Sequence, residues 1–270
     1  MVEGIWSLNL NTTRPAVVAG MFYPSDAAAL EAQVKYYLDE AKTDLISPKA
    51  MIVPHAGYIY SGQVAARAYA TLLNQKQPIS RVVIIGPSHR VAFKGIAMST
   101  MNAFATPLGL IPLAKNTSTT LAHLAGVIAD ESPHAQEHCL EVQLPFLQLV
   151  LGQFKLLPLV IGRSSADQVA AVIELLWDDP ETLFVISSDL SHFHDYKNAS
   201  IRDQTTTTYI EALNGEKLTP ENACGYLPVQ GLLQVAKKKK LKERTLDVRN
   251  SGDTAGSKDR VVGYGAYVFH

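Results

Sequence analysis

Four stretches of this chain are apolar almost without interruption: KAMIVP at 49–54, RVVIIG at 81–86, KLLPLVIG at 155–162 and LFVISS at 183–188. Strands that are apolar on both faces belong inside a sheet covered on both sides, and such sheets are largely parallel. Segments with apolar residues at helical spacing separate them, at about 26–41, 61–73, 117–129, 140–151, 166–177, 201–213 and 229–240. Strand alternating with helix predicts an α/β fold, a mixed and largely parallel central sheet flanked by helices. Shorter strands are expected in GIAMST and GLIPL, and the alternating RVVGYGAYVF closes the sheet. Pro158 marks an irregular or edge position in its strand. Ser25 and Asp26 offer N-cap chemistry for the first helix, and Ser61 for the next. No Pro/Gly/Ser linker or internal repeat divides the 270 residues. The expectation is a loose leader over 1–13 followed by one domain over 14–270.

Three of the apolar runs end in a histidine: His55 in PHAGYIYSG, His89 in GPSHR and His192 in SSDLSHFHDY. In an open α/β sheet ligands bind in the crevice beyond the carboxyl ends of the strands. Imidazoles gathered there suit a transition metal or acid/base work. Each histidine alone is as readily explained by a hydrogen bond to loop backbone; the shared position makes the set informative. Asp189 leaves the strand just before His192 and can ligate a metal or orient an imidazole. His192 is a candidate ligand or general acid/base, and His194 ranks below it. In SPHAQEHCLEVQLPF, Glu137, His138 and Glu141 are expected at a helix start, with the two carboxylates on one face; a polar helix start suited to the macrodipole explains them equally well. His134 is expected in the preceding loop and His123 inside an amphipathic helix. Asp253, in the glycine-containing loop NSGDTAGSKDR, would complete a two-histidine, one-carboxylate set of the kind that holds non-haem Fe(II); an ordinary turn before a strand fits that composition as well.

Bulk properties limit the partners. Hydrophobic residues make up 47% and charged ones 18%, with a net charge of −1, which does not favour nucleic acid. The lysine run at 237–240 suits a solvated helix C-terminus. Two cysteines, Cys139 and Cys224, with no CxxC spacing fit a reducing cytoplasm and exclude a cysteine-only zinc site. No secretory signal is visible at the start, and no apolar run approaches the ~20 residues needed to span a bilayer. Neither a membrane nor a nucleic-acid partner is expected.

The motifs RPAVVAGMFYP, PHAGYIYSG, GPSH, EHCLEVQLPF, SSDLSHF and NSGDTAGSKDRVVGYGAY together resemble the Memo family, called protein B of the AmmeMemoRadiSam system in bacteria and archaea. The family is similar to the catalytic subunit of class III extradiol dioxygenases, and the resemblance runs from about residue 14 to 269. It implies that His55 and His89 are metal ligands and that His192 occupies the acid/base position. Animal Memo proteins carry a cysteine in the final loop where this chain has Thr254, so the third ligand is expected to be Asp253, His192 or water. The implied metal is Fe(II), with Zn or Cu as alternatives. Three functions follow. The first is a dioxygenase-like oxidoreductase acting on an unidentified small molecule, or within a modification pathway alongside radical-SAM partners. There Glu137 or Asp189 would tune or orient His192, with His138 beside them. The second is a metal- or peptide-binding module without turnover, and the third a zinc hydrolase.

Overall fold

The computed structural model describes residues 12–41, 46–75 and 77–270; the expected leader lies outside it up to residue 11. In chain order the elements are β1 (Thr13–Arg14), α1 (Ala27–Glu40), β2 (Ala50–Val53), α2 (Tyr58–Tyr69), β3 (Arg81–Pro87), β4 (Ile96–Met98), β5 (Ala103–Thr106), β6 (Gly109–Pro112), α3 (Lys115–Leu121) and β7 (Val127–Ala129). They continue with α4 (Leu144–Leu151), β8 (Lys155–Ile161), α5 (Ala166–Leu176), β9 (Thr182–Ser187), β10 (His192–His194), α6 (Tyr196–Glu211), α7 (Tyr226–Lys239), β11 (Glu243–Asn250) and β12 (Val261–Phe269). Among the described residues one sheet has nine strands, in the order β10-β12-β2-β9-β3-β8-β4-β7 with β11 on β12. β2, β9, β3 and β8 run parallel, while β12 and β4 join antiparallel on either side. The α/β class and mixed, largely parallel sheet are those expected. A small sheet of β1, β5 and β6 stands apart.

Alternate residues of each central strand feed opposite cores, as a two-sided sheet requires. Val82 and Ile84 of β3 pack with Val64, Tyr69 and Phe146 on one side. Val83 and Ile85 pack with Val169, Ile173 and Leu232 on the other. Burying a side chain of this size stabilises the fold by roughly 1.5–3 kcal/mol, so register across β3 is tightly fixed. The four parallel strands consequently end level, with Val53, Pro87, Ile161 and Ser187 at one edge.

Several local expectations need correction. Ser61 does not cap α2: the helix starts at Tyr58 after Gly57, and Ser61 Oγ donates to the Ala56 carbonyl instead. The helix expected over 117–129 stops at Leu121, because Val127–Ala129 pairs with β4 as a parallel strand. β11 was not anticipated, since ERTLDVRN has no apolar run. Pro158 lies inside the sheet, paired with Ile84 of β3. Its missing N–H is tolerated because the β4 ladder covers only Leu159 to Ile161, which leaves β8 locally an edge at Pro158. Asp26 does cap α1, accepting from Ala29 N at 2.9 Å, and the lysine run does close α7. No helix among the described residues is long and apolar enough to cross a membrane.

Candidate metal centre

The level strand ends carry the chemistry. His55 follows β2, His89 follows β3 and Asp189 follows β9, three adjacent strands. A third imidazole, His138, reaches the same place from a non-helical segment ahead of a 3-10 turn at Glu141–Gln143. That segment lies against the end of β3 because Gly86 leaves room for it. A Cβ there would come within 2.6 Å of Cys139 Sγ and 2.9 Å of Leu140 Cδ2. It is tied down from the other side by Arg14, buried in β1. Arg14 donates to the carbonyls of His134 (2.8 Å) and Glu137 (2.6 Å) and pairs with Glu141 at 2.7 Å. Glu141 in turn accepts from Val17 N, Val18 N and the Tyr23 hydroxyl. Glu137 and Glu141 therefore do not share a helix face, contrary to the expectation. The backbone between them is irregular, and each carboxylate has its own set of partners.

The rings of His55, His89 and His138 are mutually packed, with centroids 4.6–5.4 Å apart. One ring nitrogen from each lies within 4.8 Å of the others. Nitrogens bound to one ion at about 2.1 Å lie at most about 4.2 Å apart, so the grouping is on the scale of a shared ion. Nδ1 of His55 contacts Ser187 Oγ at 2.9 Å and Nδ1 of His89 contacts Glu137 Oε1 at 2.8 Å. Nε2 of each is thereby aimed inward, as metal-binding histidines require of their outer hydrogen bonds. Nδ1 of His138 is buried without a hydrogen bond; Glu137 Oε1 is 3.3 Å away but misaligned. An orphaned buried nitrogen beside two oriented imidazoles fits a cation. Burial first, and the neighbouring histidines second, push the His55 pKa well below the ordinary value. Burial and then the charge of His55 lower that of His138 to about 4. Both are thus neutral near pH 7, the form that binds metal.

Glu137 serves the cluster from behind. Burial would raise its pKa, but hydrogen bonds from His89 and from backbone amides hold it down at about 2. Its oxygens accept from His89 N, His89 Nδ1, His138 N and Cys139 N. A second group, His89, Glu137 and Cys139, is also compact. Its carboxylate already accepts four hydrogen bonds, and its thiol is buried, donating to the Pro87 carbonyl. The three imidazoles are the better donor set.

Asp189 is buried and accepts from His55 N at 2.7 Å, with its other oxygen 3.9 Å from His55 Nε2. Burial pushes its carboxyl up. His192 stands outside the close group. Its Nδ1 lies 2.8 Å from the Leu190 carbonyl, which can only accept, so the proton sits on Nδ1 and Nε2 is left as a base. Its charge would still be felt at both His55 and Asp189. The strand bulges between His192 and His194, and Phe193 between them takes φ 64° with its ring 4.4 Å from the Arg260 guanidinium.

Asp253 requires correction as a ligand. It is exposed; one oxygen accepts from Asn250 N and the other from the Tyr196 hydroxyl. It closes its own turn rather than facing the histidines. Thr254 Oγ1 donates to the Ser251 carbonyl in the same turn. His134 is buried on the Ala97 carbonyl, and His123 is exposed just beyond α3 instead of within a helix.

One participant was missed. Cys224 Sγ lies 3.2 Å from His55 Nε2 and accepts from Asp189 N at 3.3 Å. Gly225 brings the loop this close to the end of β9; a Cβ there would come within 2.7 Å of Ser188 Cβ. Burial, with the Asp189 charge adding to it, raises the Cys224 pKa, so the group is a thiol until something displaces its proton. The only sequence signal is a Cys-Gly pair opening a helix, and nothing in it points to His55.

One cleft opens on the cluster at His138, and a second reaches Cys224 beside it. The first, of about 450 Å³, is lined by His138, Asp189, Tyr60, Tyr264 and Arg260. The other, of about 600 Å³, begins at Cys224 and runs beyond the ends of β3 and β8.

These features define a class: an α/β domain with a mixed, largely parallel sheet flanked by helices and a histidine cluster at its carboxyl edge that can hold a metal ion. The family model described as Memo-like protein matches residues 14–268, and the chain belongs to that family. A MEMO1 family protein of Sulfolobus acidocaldarius is 33% identical over 276 residues, covering 93% of this chain and 97% of that one. A MEMO1 family protein of Aquifex aeolicus is also 33% identical, covering 95% and 98%. An uncharacterized Escherichia coli K12 protein, JW3007, shares the fold with a TM-score of 0.51 at 15% identity, over 80% of this chain and 98% of that one.

Proposed function

We propose that this protein is a cytoplasmic, metal-dependent oxidoreductase with a mononuclear non-haem iron site built on His55, His89 and His138. The observation that carries the reading is the convergence of three imidazoles, two with their outer nitrogens held by Ser187 and Glu137 and the third, His138, with a buried nitrogen left unpartnered. Fe(II) in such a site supplies open positions for substrate and dioxygen. Ser187 and Glu137 orient the ligand rings. Asp189 fixes the His55 backbone and, with Cys224, borders its Nε2. His192 accepts a proton at Nε2 while Leu190 holds its other nitrogen. A small molecule is the expected substrate, and work beside a radical-SAM partner belongs to the same proposal, supported by the family resemblance.

The all-nitrogen donor set favours one competing reading. Three histidines with an open fourth position also describe a catalytic zinc site. The two separate on metal content and reactivity. Protein purified without oxygen or a metal-binding tag is expected to carry iron and to consume O₂ with an oxidisable substrate such as a catechol. Stoichiometric zinc with hydrolysis of an activated ester would favour the hydrolase. Peptide binding that survives loss of both His55 and His89 would favour a module without turnover.

A further inference from the structure

The larger cleft has a composition unlike the rest of the site. Its walls include Phe93, Tyr226 and Leu227, its floor reaches Cys224, and its rim carries Lys94 and Arg163; no carboxylate lines it. Lys94 and Arg163 are partners in an isolated parallel bridge, so their side chains leave the backbone side by side. Both are exposed, and neither has an ion pair among the described residues. Two unneutralised cations side by side repel each other, and an anion between them relieves that repulsion. The start of α7 adds to the same field. It is a 14-residue helix with Gly225 as its N-cap, no side-chain cap and no acid in its first turn. From this cleft the path to the cluster is short, because Cys224 Sγ touches His55 Nε2 at 3.2 Å.

We propose that this cleft is the substrate-binding arm of the metal site and takes a small anionic molecule with a flat apolar body. Its carboxylate or phosphate is held by Lys94 and Arg163, its body lies against Phe93 and Tyr226, and its far end is directed at Cys224 and His55. The proposal rests on the metal-site reading above and adds the substrate class to it. The smaller cleft, lined by His138 and Asp189 and sharing no residue with the larger one, leaves a separate approach for a second reactant.

The test is calorimetric titration of the full-length protein, metal-loaded and metal-free, with benzoate, phenyl phosphate and the neutral analogue benzyl alcohol. At least one anion is expected to bind about tenfold or more tighter than the alcohol, and whichever binds tighter identifies the head group. Lys94→Ala with Arg163→Ala should abolish that preference, and Arg163→Glu should reverse it, while bound metal per chain stays unchanged. Equal binding of anion and alcohol, no detectable binding of either anion, or a preference that survives the double substitution would overturn the proposal. Failure of the metal reading looks different: no metal is retained, yet the anion preference persists and still depends on Lys94 and Arg163.

Discussion

Glu137 and Glu141 are one helical turn apart in sequence and equally buried, at 1% and 0% exposure, yet they do opposite work. Glu141 faces a permanent cation, Arg14, and satisfies two backbone amides and a phenol as well. It is a staple, pinning the first described residues to the segment that carries His138. Glu137 faces two imidazoles, whose charge depends on protonation and metal. A carboxylate matched to a fixed charge builds the fold; one matched to variable charges positions a site.

Glu141→Gln has the largest expected effect. It strands the Arg14 guanidinium in the core, and losing one partner of a buried pair costs about 3–5 kcal/mol. Chemical denaturation should show that loss, while the molecules still folded bind metal as before. Glu137→Gln should do the reverse. It loosens the outer hydrogen bond of a ligand histidine, which typically weakens metal binding about 10–100-fold, with a smaller change in folding stability. Metal competition titrations on both variants decide the matter: if Glu141→Gln proved the more damaging to metal affinity, the division of labour would be wrong.

Acid sharpens the contrast. The Glu137 pKa is held down from 4.5 to about 2, so its stabilising contribution is complete above 4.5 and disappears as pH falls through about 2. Asp203, buried behind Ser191, has its pKa raised by burial from 3.8 to about 6, against a backbone hydrogen bond from Ser191 that lowers it. It has the opposite sign: its contribution is most favourable below 3.8 and declines as pH rises through about 6. Asp203→Asn should therefore flatten the stability profile between about pH 4 and 6, and Glu137→Gln that between about pH 2 and 4.5, each followed by thermal unfolding. The smallest effect belongs to Asp253→Asn. With its oxygens committed to Asn250 and Tyr196, its loss should change metal affinity less than twofold and stability by about 1 kcal/mol or less.

What was legible in the sequence follows from range. The uninterrupted apolar runs specify buried parallel strands, and a parallel sheet fixes where those strands end. His55, His89 and Asp189 could thus be brought to one edge by local pattern alone. His138 and Cys224 could not be placed there, because each arrives on irregular backbone. One is held by Arg14, more than 120 residues away, and by the space at Gly86; the other by the close approach at Gly225. Asp253 misled for the same reason. A Gly-rich turn with a carboxylate reads alike whether the side chain reaches a metal or its own backbone, and the choice was made by Asn250 N within the turn and by the Tyr196 hydroxyl, a tertiary contact.

On the proposed reading, His55, His89 and His138 together hold a metal ion. The most direct test is metal content and affinity of the untagged, anaerobically purified protein beside His55→Ala, His89→Ala and His138→Ala. One divalent metal per chain, lost or weakened at least a hundredfold in each variant while Asp253→Asn keeps it, is the expected result. Wild-type protein that binds no metal under these conditions, or metal retained at full affinity after His138→Ala, would rule out a three-histidine site.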